Sequence, residues 1–428
     1  KSQENEWKKQ WKNLFGTEYK NGFKLTESEF EKIKRRVKVG MQKISDDVRE
    51  IISPVTIRRN RLDIKNNPEY AKDVKAMAKV VPPKEQFYEL SHEQSAFYDR
   101  VINDYLSDEN FTGAVYRPYA YNHSSEEDFS ENVQQEGMYK FMRRLLVRRF
   151  ESSFGAFAKT VENALRYYGA VQKIAKDKGY VFQSRKLLEK FSDLCANDAD
   201  DEEFEEFWML VENAERKRTS RDKEVLYKVD GKGFDKKLFF KNLQRDISTF
   251  KTILRDIKDM KLLEKDPKAL QLLQIVKNVL ECKHKGIDKA KNRKVIVFSE
   301  FTDTIKHLKK FFEYSSLKKL FLAPESVDET VLKNFDASHS ESEDDYKILL
   351  VSDRFSEGLN LSRAGLVINY DIPWNPTRVI QRIGRINRIG NKVFDNLYIF
   401  NYFPSDVVAD IIHSKEIAAN KMMMIYKI

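Results

Sequence analysis

Ile348-Leu349-Leu350-Val351-Ser352-Asp353-Arg354-Phe355-Ser356-Glu357-Gly358-Leu359-Asn360-Leu361 decides the fold of this chain. Its opening run is apolar without a break, and a strand buried on both faces shows that pattern, not polar alternation. The run ends abruptly in a polar loop. Gly358 lets the backbone turn tightly, while Ser352, Ser356 and Asn360 offer neutral hydrogen bonds to phosphate or ribose. Loops at the carboxyl ends of parallel strands are where such sheets bind ligands. Short apolar runs recur at Val295-Ile296-Val297-Phe298, Leu366-Val367-Ile368 and Leu397-Tyr398-Ile399-Phe400, with a helical spacing of Phe301, Ile305, Leu308 and Phe312 between. Strands alternating with helices predict an α/β domain with a mainly parallel sheet over residues 265–428.

Within that domain a second segment is the most informative: Trp374-Asn375-Pro376-Thr377-Arg378-Val379-Ile380-Gln381-Arg382-Ile383-Gly384-Arg385-Ile386-Asn387-Arg388-Ile389-Gly390. Asn375 is placed to cap a helix opened by Pro376, with Gly390 closing it. Gln381, Arg385 and Arg388 then stand at i, i+4 and i+7 on one face. Gly384 costs a helix about 1 kcal/mol relative to Ala, so its presence suggests a close approach there. Two guanidiniums beside an amide suit a transferring phosphoryl group. An ordinary basic surface helix has the same composition.

The remainder divides by texture. Residues 1–110 read as a helical lead-in, with landmarks at Ser53–Arg59 and Val81-Pro82-Pro83-Lys84 and an amphipathic helix of Phe97, Val101 and Tyr105 capped by Ser91. Residues 111–264 read as a large helical insertion, with Met138, Met142, Leu145, Phe154, Phe157, Val161 and Leu165 at helical spacing. Arg143, Arg144, Arg148, Arg149 and Arg166 are interleaved with them; a core-packed helix with a solvated basic face is the preferred reading, and a nucleic-acid-contacting helix the alternative. The net charge of +10 over 428 residues favours a polyanionic partner. No apolar run approaches the roughly 18 residues of a membrane span, so no membrane partner is expected. Cys195 and Cys282 are too few and scattered for a disulfide framework or zinc site, and no metal-ligating residue is assigned. A cytoplasmic location is expected.

The order of these pieces resembles the later motifs of superfamily-two helicases, and in particular the Swi/Snf-type ATP-dependent DNA translocases, bacterial members included. Val295–Phe301 resembles the fourth motif, Ser352–Leu361 the fifth and Gln381–Gly390 the sixth. Asn369-Tyr370-Asp371-Ile372-Pro373-Trp374-Asn375-Pro376 is similar to that group's signature between the last two. Ile57-Arg58-Arg59-Asn60-Arg61-Leu62-Asp63-Ile64 resembles its segment near the junction of the lobes. The resemblance implies a RecA-like second motor lobe in which Arg385 and Arg388 are arginine fingers supported by Gln381. It implies that Gly358, Glu357, Asn360, Ser352 and Asp371 couple nucleotide to DNA, and that Ser299, Arg58 and Arg59 face nucleic acid. Arg354 and Phe355 stand where the family has small residues, and Asn391 where glutamine is usual.

No G-x-x-x-x-G-K-[ST] phosphate loop occurs, and no apolar strand runs into an Asp-Glu pair fit for magnesium. ATP and Mg²⁺ are therefore expected to be held mainly by an upstream RecA-like lobe, and the chain, which opens on Lys1, to be a C-terminal piece inactive alone. Duplex DNA is the expected substrate, with an RNA helicase lobe or an inert nucleic-acid- or protein-binding scaffold as the competing readings. A dinucleotide enzyme is disfavoured because no G-x-G-x-x-G follows a predicted strand.

Overall fold

The structure, a computed structural model, describes Arg35, Val39 and residues 78–403 except 108, 124–128, 184–189, 192, 195–200, 217–224, 291, 325–328, 357, 374–375 and 389–391. The chain divides into compact units at Lys1–Val74 and Lys75–Ile428. Arg58, Arg59 and the segment around them lie outside the described residues.

In chain order the second unit begins with β1 (Lys79–Val80), β2 (Lys84–Phe87) and α1 (His92–Asp99). The insertion comes next as α2 (Phe129–Ser152), α3 (Phe154–Asp177), β3 (Tyr180–Gln183), α4 (Asp201–Arg216), β4 (Val225–Lys228) and α5 (Lys236–Asp259). Then come α6 (Pro267–Leu280), β5 (Lys294–Ser299), α7 (Thr302–Glu313), β6 (Phe321–Leu322), α8 (Glu329–Phe335) and β7 (Ile348–Ser352). The last elements are α9 (Asp353–Ser356), β8 (Ala364–Asn369), α10 (Pro376–Ile386) and β9 (Asn396–Phe403).

The main sheet runs β9-β8-β5-β7-β6, with β1 and β2 both on the outer edge of β9, and every pairing is parallel. β5, β7 and β8 are buried along their whole length, as their unbroken apolar runs predict. Successive side chains leave opposite faces. Val295, Val297, Ile348, Leu350, Leu366 and Ile368 pack with Leu272 of α6 and Leu308 of α7. Ile296, Phe298, Leu349, Val351 and Val367 pack instead with Val331 of α8 and Ile386 of α10. A central parallel sheet covered by helices on both faces is the RecA-like architecture expected of the second lobe.

Two expectations need correcting. The lead-in is not wholly helical, because Lys79–Phe87 forms the sheet's edge. Val81 N donates to Leu397 O at 2.9 Å, and the following Pro82 and Pro83 have no N–H to give, which only an edge strand tolerates. Ser91 does cap α1: its hydroxyl accepts from Gln94 N and the Gln94 side chain accepts from Ser91 N. The helix then widens into a π-helical turn over Arg100–Tyr105.

The insertion is not wholly helical either: β3 and β4 pair antiparallel. Each is a four-residue run rich in β-branched and aromatic side chains, and the two lie too far apart in sequence for a hairpin signal. Its helices share an aromatic core that includes Phe150, Phe157, Tyr168, Phe239 and Phe250. Asp246, buried there, accepts from Thr112 N, Thr112 Oγ1, Ala114 N and Tyr168 Oη and pins the loop before α2. The expected solvated basic face of α2 is only partly that. Arg149 is buried against Asp303 and Arg148 pairs with Glu300, so both turn toward the sheet.

Candidate functional site

The carboxyl ends of the three central strands lie side by side, with Ser299 of β5 opposite Ser352 of β7 and Phe298 opposite Asn369 of β8. Segments remote in sequence therefore meet at one rim. Asp371, two residues beyond β8, joins them: its Oδ2 accepts from Ser299 Oγ at 2.6 Å and its Oδ1 from Glu300 N at 2.7 Å. Ser299 Oγ also accepts from Phe301 N at 3.1 Å, closing the turn into α7. Buried Ser352 accepts from Thr302 Oγ1 at 3.2 Å. Ser299 and Asp371 are thus brought together, with Ser352 on the neighbouring strand.

Across this rim lies α10, held by an arginine that the sequence reading passed over. Arg382 is buried, with Nε and Nη2 on the two oxygens of Asp353 at 2.7 and 2.8 Å. Its Nη1 donates to Asn369 Oδ1 and Asp371 O, both at 3.0 Å, and Nη2 lies 3.7 Å from Asp371 Oδ1. A fork presented to a carboxylate in this way has the strongest geometry available to an ion pair. Burial works against its charge, and the carboxylates of Asp353, Asp371 and Glu300 together more than offset that, keeping the guanidinium above its ordinary range. Glu300 beside it is pushed up by burial, an effect that Arg148 opposes.

The fingers expected on α10 are arranged differently from each other. The helix ends at Ile386, so Arg388 lies beyond it and the shared face extends only from Gln381 to Arg385. The end of α10 is held by Leu361 N, which donates to Arg385 O at 2.9 Å; this backbone bond ties the helix to the loop after β7. Gln381 and Arg388 are exposed and Arg385 half-buried, and none of the three side chains has a partner among the described residues. A Cβ added at Gly384 would meet nothing within 4 Å in this chain. Gly358 has φ +84°, a left-handed conformation that favours glycine. Asn360 Nδ2 donates to Asp336 Oδ1 at 2.7 Å and Ser338 Oγ at 3.0 Å. Glu357 falls outside the described residues.

The rim therefore presents cationic and amide side chains that have no partner among the described residues, on the helix that carries the locked arginine–carboxylate pair. Such donors fit the oxygens of a nucleotide phosphate. They do not fit magnesium, and among the described residues no group of three or more His, Cys, Asp or Glu could hold a metal ion. Among the described residues no helix is long and apolar enough to cross a membrane.

Residues 271–390 match the family described as the helicase conserved C-terminal domain. An uncharacterized ATP-dependent helicase of Bacillus subtilis, YqhH, is 44% identical over 55 residues, which are 13% of this chain and 10% of that protein. The ATP-dependent RNA helicase eIF4A of Scheffersomyces stipitis is 36% identical over 69 residues, 16% of each chain. The matched segments thus span a tenth to a sixth of the length of these relatives. The solved C-terminal part of the Fun30 ATPase domain is 17% identical, with 79% of this chain and 90% of that one covered at a TM-score of 0.36.

Proposed function

We propose that this chain supplies the second motor lobe of an ATP-dependent DNA translocase of the Swi/Snf type. Arg385 carries the reading: it stands one turn from the buried Arg382 pair, half-exposed, and has no partner of its own among the described residues. An arginine held on a fixed helix and left unpaired is suited to a charge that arrives from outside the lobe. In this reading Arg385, with Arg388 and Gln381, neutralises charge developing on the transferring phosphoryl oxygens. ATP and its magnesium are bound mainly by an upstream RecA-like lobe, since no phosphate-loop pattern occurs in these 428 residues. Asp371, which contacts Arg382, couples nucleotide to the DNA track together with Ser352, Asn360, Glu357 and Gly358, and Ser299 is assigned to nucleic-acid contact. Arg58 and Arg59 are assigned to nucleic-acid contact on the family resemblance alone. An inert scaffold needs no phosphate-directed arginine.

Similarity to RNA helicases favours a second reading, in which the track is RNA. Steady-state ATP turnover by the full-length polypeptide, with duplex DNA or RNA and beside Arg385→Ala, separates the cases. Duplex DNA is expected to stimulate turnover, and the substitution to lower it at least about 10³-fold while DNA binding persists and weakens steeply with salt. Stimulation by RNA alone would move the reading to the second track. Binding without turnover would move it to the scaffold.

A further inference from the structure

The insertion reaches the rim at two places: Glu203 of α4 lies 3.3 Å from Arg354 after β7, and the turn between α2 and α3 meets Asp371. α2 ends at Ser152, α3 begins after Ser153, and both serines are buried. Ser152 Oγ donates to Asp371 Oδ2 at 2.6 Å, the oxygen that Ser299 also engages. Thr304 Oγ1 lies 2.7 Å from Ser152 Oγ and 2.9 Å from Ser153 Oγ. Ser153 Oγ in turn accepts from Ala156 N at 3.0 Å, capping α3.

Each hydroxyl has one proton and a carboxylate oxygen accepts, so the direction of this chain is determined. Ser152 gives its proton to Asp371, Thr304 gives its proton to Ser152, and Ser153 gives its proton to Thr304. The N-cap of an insertion helix is thereby wired to the rim carboxylate. Lys268 Nζ holds the junction from behind, donating to Glu151 O at 3.0 Å and Ser152 O at 2.9 Å, carbonyls that α2 itself leaves unpaired. Arg149–Asp303 at 2.6 Å and Arg148–Glu300 fix the same junction to the turn that follows β5.

Packing alone does not require this arrangement. Asp371 already has Ser299, the Glu300 amide and nearby Arg382, and an alanine at Ser152 would fill the end of α2 without a polar atom to satisfy. Among the described residues, the bond from Ser152 is the one that Asp371 takes from the insertion. What it adds is coupling, because Asp371 also accepts Arg382 through its backbone carbonyl and Arg382 fixes α10.

We propose that Ser152 is a positioning residue of the motor, setting Asp371 and through it the α10 segment that carries Arg385, so that the helical insertion tunes phosphoryl transfer without touching nucleotide. This rests on Arg385 contacting phosphate.

The test uses the full-length polypeptide and compares Ser152→Ala, Asp371→Asn, their combination and Arg385→Ala, with thermal melting as a control for folding. Ser152→Ala is expected to lower kcat about 10-fold while KM for ATP and duplex affinity stay within about twofold. In the Asp371→Asn background the same change is expected to have less than about a twofold effect, since residues acting through one another are not additive. Unchanged kcat, or an equal loss in both backgrounds, would overturn the inference if Arg385→Ala still abolishes turnover. Retention of turnover by Arg385→Ala would instead remove the reading of Arg385 on which the inference rests. Should Ser152→Ala not fold, Arg148→Gln takes its place at a half-exposed position: a several-fold fall in kcat at constant KM supports the coupling, and unchanged kcat overturns it.

Discussion

At the scale of residues, arginines three positions apart on one helix have opposite environments. Arg382 is buried on Asp353, whereas Arg385 is half-exposed and unpaired among the described residues. Removing one member of a buried pair leaves an uncompensated charge, which costs about 3–5 kcal/mol. Asp353→Ala is therefore expected to destabilise the chain by about that amount in urea unfolding, with Arg385→Ala within about 0.5 kcal/mol of the parent. A large loss of stability in Arg385→Ala would mean that the side chain serves the fold and not an incoming phosphate. The signal for Arg382 was present in the sequence. It stands three residues after Val379 and four before Ile386, and all three are buried. An apolar stripe interrupted by one arginine marks a buried ion pair, but counting charges on the opposite face hides it. Asp353, in a polar stretch of ordinary composition, carries no comparable signal.

At the scale of elements, β5, β7, β8 and β9 were legible because full burial writes an unbroken apolar run. The edges were not. β6 has two residues, and the β1–β2 edge is interrupted by two prolines that suggest a loop. The end of α10 was misplaced for a related reason: Arg388 continues the helical spacing, yet the helix stops at Ile386, where Leu361 N takes the Arg385 carbonyl. Gly384 lies inside that helix with open space where a Cβ would go. Gly384→Ala is expected to stabilise the chain by about 1 kcal/mol, because the helix gains propensity and nothing clashes. On the proposed reading, the same substitution in the full-length polypeptide is expected to lower ATP turnover, since the methyl would project beside Arg385 on the face that an opposing lobe would approach. Higher melting temperature with undiminished turnover would show that nothing comes close to this face.

At the scale of the whole second unit, an aromatic helical core and a sheet core are joined where α2 ends against α6 and α7. Lys268 sits in that joint, buried, with its ammonium 4.2 Å from the centre of the Tyr370 ring and Tyr88 and Tyr402 close by. The joint was not legible in the sequence, because Lys268 follows a proline in the first turn of α6 like any solvated lysine. Burial lowers its pKa to about 8, with Asp371 and Asp266 opposing the shift. Below that pH the amine is protonated both in the folded chain and in the unfolded one, whose lysines titrate near about 10.4. Between the two values the unfolded chain binds more protons, so this group makes stability rise with pH across that window. The neutral amine keeps N–H donors for the carbonyls of Glu151 and Ser152, so deprotonation relieves the burial of charge without opening the joint. Urea unfolding of the parent and of Lys268→Met, compared from pH 7 to about pH 10.5, isolates the effect because other titrations largely cancel in the difference. The stability of the parent relative to the variant is expected to be flat up to about pH 8 and to climb above it. A difference that stays flat throughout would mean that the lysine is charged in the joint at an ordinary pKa, with the rings and carboxylates around it fully repaying its burial.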